Sequence, residues 1–354
     1  MERLPPAVNS LMNKPLSERG LRLVAIGGGT GLSTLLSGLK QYVSRRHDDE
    51  LWVESLSAIV TVSDDGGSSG RLRDELQILP PGDIRNCMIA LSEDSNLLAR
   101  LFRYRFGGSG DLAGHSFGNL FLAALAEVTG DFVEAVRLSS EVLASKGHIY
   151  PATTTDVRLV AELENGRIVH GETLITAARS PIRSLRLEPE HCEPLPDTLV
   201  AIRAADLITI GPGSLYTSIL PNLLVSRVAD AIAESAATKI FVTNLMTQPG
   251  ETDGFDAQKH LAAVREYAPQ IHFDFILLND RSITAEQARL YAADNAYQVT
   301  WTDQIAVRNG GELSEIVRAN LLEDGEMVRH DPHKLAKAVL ACAAQSSMRL
   351  PVAV

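Results

Sequence analysis

Cysteine is scarce. Cys87, Cys192 and Cys342 are the only three in 354 residues, and no C-x-x-C pair joins them. That excludes a disulfide framework and a cysteine zinc site, and it fits a reducing cytosol with the thiols as buried packing residues. Long apolar runs are missing too. No stretch approaches the ~18 residues of a membrane span. The Pro-containing, polar start lacks an apolar signal core, so residues 1–20 are expected as a flexible tail and the protein as cytoplasmic, without membrane insertion. Basic charge is in deficit: 33 Lys and Arg face 44 Asp and Glu, a net charge of -11. This disfavours nucleic acid as a partner. It leaves room for a small anion held by local arginines. No G-x-x-x-x-G-K-[ST], no G-x-S-x-G and no zinc-ligand spacing occurs, so those chemistries have no support.

What is present centres on residues 21–40. Leu21, Leu23, Val24, Ala25 and Ile26 suit a buried strand. Gly27, Gly28, Gly29, Thr30 and Gly31 follow at once, and Leu32, Leu35, Leu36 and Leu39 then recur at helical spacing. Strand, glycine turn and helix in that order make a phosphate cradle: glycines let backbone N–H groups approach an anion, and the helix N-terminus adds partial positive charge. A tight turn with no ligand would use the same residues. The dinucleotide fingerprint is incomplete, because Leu32 stands where its third glycine belongs and no ribose-binding acid ends a strand about 20 residues on. An NAD-binding protein is therefore the weakest of three readings.

Buried strands and helices alternate over most of the chain. The apolar runs 56–63, 206–210, 239–243 and 271–278 read as strands. A mostly parallel sheet with helices on both faces follows, an α/β fold in three layers. Asn165-Gly166 between the runs 157–163 and 168–175 signals an antiparallel hairpin insertion, placed at about 150–196, with 181–196 read as irregular. Arg45–Glu50 reads as a charged loop. Asp83 is expected to cap a helix from Ile84, and Asp131 one that carries Glu134 at capping-box spacing. One domain spans 21–345, and 346–354 forms a tail.

Ligands in such sheets sit at the carboxyl ends of the strands. Four clusters fall there: Gly27–Gly31, Asp64–Gly70, Gly211–Ser214 and Asn244–Met246. Asp64 and Asp65, with Gly66, Gly67, Ser68 and Ser69 behind them, suit Mg²⁺ beside a diphosphate, or a base, or an Asp-Gly turn. Arg71 and Arg85 with Asn86 are candidates to grip phosphate. His115 and Asn119 follow a glycine loop at a helix start, where His115 would contact phosphate, act as an acid, or cap the helix. Gly211, Gly213 and Ser214 form a second anion cradle. Arg329 precedes the last helix. No base–nucleophile pair is legible.

The stretches AIGGGTGLSTLLSGLK, TVSDDGGSSGRLR, LPPGDIRNCMIALSE, FRYRFGG, LAGHSFGNLFLAAL and TIGPGSLYTSILPNLLV resemble the YvcK family of gluconeogenesis factors, within the CofD-like superfamily. The resemblance runs from about Leu21 to the RHDPHKLA stretch. It implies a CofD-like fold with a Rossmann-type core. It also implies binding of a UDP-sugar, chiefly UDP-N-acetylglucosamine, in a regulator of cell shape and envelope metabolism under gluconeogenic growth. A protein partner in envelope synthesis and a homo-oligomer are further expectations. The superfamily's named enzyme instead transfers a phospholactyl-type group from a GDP-linked donor to a deazaflavin with Mg²⁺, a 2-phospho-L-lactate transferase. Carried over by motif, Gly27–Gly31 and Gly211–Ser214 would frame the nucleotide diphosphate. Asp64 and Asp65 would be catalytic, or metal ligands, if the chain is an enzyme. The GGSSGRLR continuation departs from the transferase branch, which places the deazaflavin pocket in question.

Overall fold

The computed structural model describes residues 20–44, 52–93, 97–301, 308–309 and 312–349. The expected tail over 1–19 and the Arg45–Glu50 loop lie outside them. The last helix, Pro332–Arg349, extends through the first part of the expected C-terminal tail.

A seven-stranded parallel sheet forms the centre. Its strands are β1 (Leu21–Gly27), β2 (Val53–Val60), β3 (His148–Pro151), β7 (Leu207–Ile210), β8 (Thr238–Val242), β9 (Phe275–Asn279) and β12 (Glu315–Ala319), in the spatial order β12-β9-β8-β7-β1-β2-β3. β1 lies in the interior, beside the middle strand β7: Ala25 is level with Ala58 of β2 on one side and Thr209 of β7 on the other. Its LRLVAIG sequence is apolar on both faces because helices cover both. On one face the Gly29–Leu39 helix packs against the Gly82–Leu91 and Pro332–Arg349 helices. The Pro196–Ala204, Val228–Glu234 and Ala257–Tyr267 helices belong to the other face. The chain leaves β1 for β2 in one direction and later leaves β7 for β8 and β9 in the other. The strand order therefore reverses between β1 and β7, where α/β sheets open a ligand crevice.

Two edge strands escaped the sequence reading. β3 has only four residues, and β12 is half exposed along its length, so neither shows a buried apolar run. A two-residue ladder of β10 (Arg308–Asn309) and β11 (Glu312–Leu313) precedes β12. The insertion is larger than a hairpin. β4 (Arg158–Leu163) pairs with both β5 (Ile168–His170) and β6 (Ile182–Glu188), all antiparallel. The Asn165-Gly166 turn stands where expected, but the second strand stops at His170. Gly171, at φ +92°, turns the chain into the Glu172–Ala178 helix instead. β6 lies inside the segment read as irregular; its inward residues Ile182, Leu185 and Leu187 are bracketed by Pro181 and Pro189, which masked the pattern.

Candidate functional site

The Gly27–Gly31 and Gly211–Ser214 turns meet at the strand-order reversal. Gly29 takes φ +60°, and the helix it opens has neither a side-chain cap nor an acid in its first turn. Apart from the Gly29 N–H, which Asp83 takes, its first turn has no side-chain cap to satisfy the N–H groups. A Cβ at Gly31 would stand 2.4 Å from the Pro212 carbonyl oxygen, so the two turns touch backbone to backbone. Asn244 Oδ1 accepts from Gly213 N–H (3.3 Å), and Gln248 Nε2 donates to Ser214 Oγ (2.7 Å). Buried Asn222, missed in the sequence, donates to the carbonyls of Gly27 (3.0 Å) and Ser218 (2.8 Å) and braces the first turn from behind. Against these turns opens a cavity of about 430 Å³ lined by Thr30, Gly31, Gly213, Ser214, Asn244 and Arg329, with Tyr291, Asp294 and His330 on its far wall. Burial lowers the His330 imidazole to about 4, so it is neutral near pH 7.

Asp83 is the acid that sequence reasoning misplaced. Pro81 occupies the cap position of the Gly82–Leu91 helix, two residues earlier than expected, and Asp83 sits in the first turn with no capping bond. Its carboxylate instead reaches under the glycine turn, accepts from Gly29 N–H, and stands where a Cβ at Gly28 would come within 2.7 Å. Burial, and next the charge of Asp64, push its pKa up to about 6. Asp64 Oδ1 accepts from Gly66 N–H (2.8 Å).

Asp65 turns away from the crevice. Its Oδ1 accepts from both the N–H (2.8 Å) and the hydroxyl (2.7 Å) of Thr173, in the first turn of the insertion helix. This delivers Glu172 toward the same acids. Burial first, then Asp64, Asp83, Glu251 and Asp65, push Glu172 up to about 9. Burial raises Glu251 to about 7, against the hydrogen bonds from Thr176 and the Tyr216 N–H. Among the described residues no three His, Cys, Asp or Glu side chains could share a metal ion. Mg²⁺ needs only one or two carboxylates when phosphate supplies the rest. Asp64, Asp65 and Asp83 each accept a hydrogen bond from the protein, and of these Asp64 and Asp83 line the same recess.

Beyond the Gly28–Gly29 wall lies a smaller recess of about 230 Å³, lined by Asp64, Gly66–Ser69, Asp83, Arg85, Asn86, Arg105 and Asn119. Arg85 donates to Asn119 Oδ1 (3.0 Å) and Asn86 Oδ1 (2.6 Å). Ser68 and His115 are buried behind it, with Ser68 Oγ 3.0 Å from His115 Nδ1. This pairing, 47 residues apart, is the base–hydroxyl contact the sequence did not reveal. Burial, then the charge of Arg71, lowers the His115 pKa and keeps the ring neutral. Ser68 Oγ also accepts from Asn119 Nδ2 (3.1 Å) and Ser116 N–H (3.4 Å). Its proton therefore goes to His115, and both its lone pairs are engaged. The hydroxyl orients Asn119 rather than standing free as a nucleophile. Ser116, not His115, caps the Phe117–Thr129 helix. Arg71 lies outside both cavities and ties the Ala113 carbonyl (2.8 Å).

Comparison with known proteins places these features in company. Residues 23–322 match the family model described as 2-phospho-L-lactate transferase CofD. A Bacillus subtilis protein named gluconeogenesis factor is 44% identical over 320 residues, covering 90% of this chain and 97% of its own length. A Listeria monocytogenes protein of the same name is 43% identical, covering 90% and 95%. A crystal structure of a Bacillus halodurans protein superposes with a TM-score of 0.83 at 43% identity, covering 91% of this chain and all of that one.

Proposed function

The chain belongs to the CofD family, on its gluconeogenesis-factor branch, and from that premise we propose that it is a cytosolic nucleotide-sugar-binding regulator of envelope metabolism and cell shape under gluconeogenic growth. Its ligand is of the UDP-N-acetylglucosamine kind. The nucleoside occupies the cavity beside Asn244 and Arg329. The diphosphate lies over the Gly28–Thr30 and Gly213–Ser214 turns, and the sugar reaches toward the Asp64–Arg85 recess. The observation that carries this reading is the meeting, at the strand-order reversal where such sheets bind ligands, of two glycine turns packed backbone to backbone, one of them opening a helix with no side-chain cap. The saturated hydrogen bonding of Ser68 favours binding over covalent chemistry. Calorimetry with UDP-N-acetylglucosamine should show saturable binding. At 100 times Kd, the ligand should add about 2.7 kcal/mol to stability. If no uridine nucleotide binds, the reading falls.

A Mg²⁺-dependent transfer from a nucleotide-diphosphate donor is the second reading, favoured by the coupling of Asp64 to Asp83 beside Arg85. In it, Asp64 and Asp83 would hold the cation, which would neutralise charge on the donor's diphosphate as its P–O–P bond breaks and a nucleoside monophosphate leaves. Asp64→Asn would then abolish turnover. Purified protein that never consumes donor, across GDP- and UDP-linked donors with Mg²⁺, removes this reading.

A further inference from the structure

Asp294 stands just past the end of the Ala285–Ala292 helix, with its N–H on the Tyr291 carbonyl (3.0 Å). A carboxylate at a helix C-terminus opposes the macrodipole. Among the described residues this one accepts no hydrogen bond and pairs with no cation, although Arg329 lines the same 430 Å³ cavity. Nothing in its own surroundings offsets that cost. Its place on the cavity wall is nonetheless fixed. The chain beyond it is laced to the end of β8: Thr247 N–H donates to the Tyr297 carbonyl (2.7 Å), Tyr297 N–H to the Thr247 hydroxyl (2.9 Å) and Val299 N–H to the Leu245 carbonyl (2.8 Å). Before it, the Tyr291 hydroxyl accepts from the Val328 N–H (3.0 Å), which ties in the segment carrying His330. Two more polar atoms of this cavity's lining, His330 Nε2 and Gln248 Oε1, are buried with no hydrogen-bond partner. Such atoms are costly unless a ligand supplies the bond. Leu245, Met246 and Val328 add apolar walls. Apolar walls with a few converging polar atoms suit a flat, hydrogen-bonding ring, and an acceptor-only carboxylate beside them suits a hydroxyl.

We propose that this far wall reads the nucleoside: Asp294 accepts from the ribose 2′-hydroxyl, while His330 and Gln248 bond the edge of the base. This rests on the nucleotide-sugar reading above and narrows its ligands to ribonucleotide sugars, against deoxyribonucleotide ones. In dinucleotide-binding folds the acid that takes the 2′-hydroxyl follows the first glycine turn by about 20 residues. Here it comes from the far half of the chain, brought to the crevice by the lacing to β8. Burial keeps the His330 ring neutral, so it meets the uncharged base without a buried charge.

Calorimetry on the full chain tests this with UDP-N-acetylglucosamine and its 2′-deoxyuridine counterpart. The ribose ligand should bind at least about tenfold more tightly, the effect of one charge-assisted hydrogen bond of about 1.4 kcal/mol. Asp294→Ala should bring the two affinities within about twofold of each other, and Asp294→Asn, which keeps an acceptor oxygen, should retain part of the preference. Neither variant should melt lower than the parent, since the carboxylate has no partner to lose and opposes the helix dipole. His330→Phe should weaken both ligands by the same factor, at least about fivefold for one lost hydrogen bond, and leave their ratio unchanged. Equal affinity of the parent for the two ligands, a preference that survives Asp294→Ala, or unchanged affinity in His330→Phe overturns the proposal and leaves the nucleotide-sugar reading standing. If neither ligand binds, that reading falls first and the proposal with it.

Discussion

Gly31 has no room for a side chain. A methyl there would meet the Pro212 carbonyl at 2.4 Å, and a backbone neighbour cannot swing aside. Gly31→Ala should therefore separate the two turns, with nucleotide-sugar affinity falling at least about tenfold and stability by about 1–3 kcal/mol. Calorimetry and chemical denaturation would read both; unchanged affinity would mean that the turns do not frame the ligand. Glu172 makes a second residue-level prediction, through its pKa of about 9. The folded protein keeps a proton that the unfolded chain loses near pH 4.5, so this group favours folding at low pH and does so less as pH rises toward 9. Glu172→Gln keeps the neutral form at all pH values. It should match the parent near pH 4 and exceed it by about 1–2 kcal/mol at pH 8, after allowance for partial exposure. A constant difference across that range would rule out the carboxyl as its source. His330 acts with opposite sign: its pKa near 4 means that stability is lost as pH falls from about 6.5 toward 4.

The insertion is tied down at both sides of the crevice. Asp65 holds Thr173, buried Arg73 binds the Val157 carbonyl (2.5 Å) and pairs with Asp156, and Arg158 pairs with Asp74 (2.6 Å). On the far side Glu251 accepts from Thr176 (3.3 Å), and Tyr267 accepts from the Leu185 N–H (2.8 Å). Asp65→Ala should free the Glu172–Ala178 helix while leaving the sheet intact. Amide hydrogen exchange should then rise in residues 172–178 and stay unchanged in β1 and β7; unchanged exchange in the helix would mean that the Thr173 contact does not anchor it. Little of this was legible beforehand. The central strands were, because double-sided burial writes itself as an apolar run, and so were the glycine turns, because few residues fit there. Short or half-exposed strands such as β3, β6 and β12 leave no such run. Of the local capping signals, the one at Asp131 held, since it accepts from the Glu134 N–H (3.0 Å), and the one at Asp83 did not. The roles of Asp65, Asp83 and Ser68 depended on partners 108, 54 and 47 positions away, and no local pattern encodes those.

At the scale of the whole molecule, the candidate site exists only where distant parts of the chain come together. Its walls come from residues 27–31, 64–69, 83–86, 211–214 and 244–248, and two charged rims come from Arg105 and Arg329. Ligand binding should thus stabilise the protein as a unit, with one cooperative melting transition shifting upward; a shift confined to part of the melt would mean that the halves unfold separately. The interior position of β1 has one more consequence, and it concerns synthesis. β1 is made first and finds β2 within about 30 residues, but its other edge waits for β7 at residues 207–210. Until some 200 residues have left the ribosome, the nascent chain carries an open, apolar strand edge that the finished sheet buries, the kind of edge that recruits wrong partners. A fragment ending at Ala205 should aggregate where the full chain stays monodisperse, and emerging chains of that length should be the ones that chaperones retain.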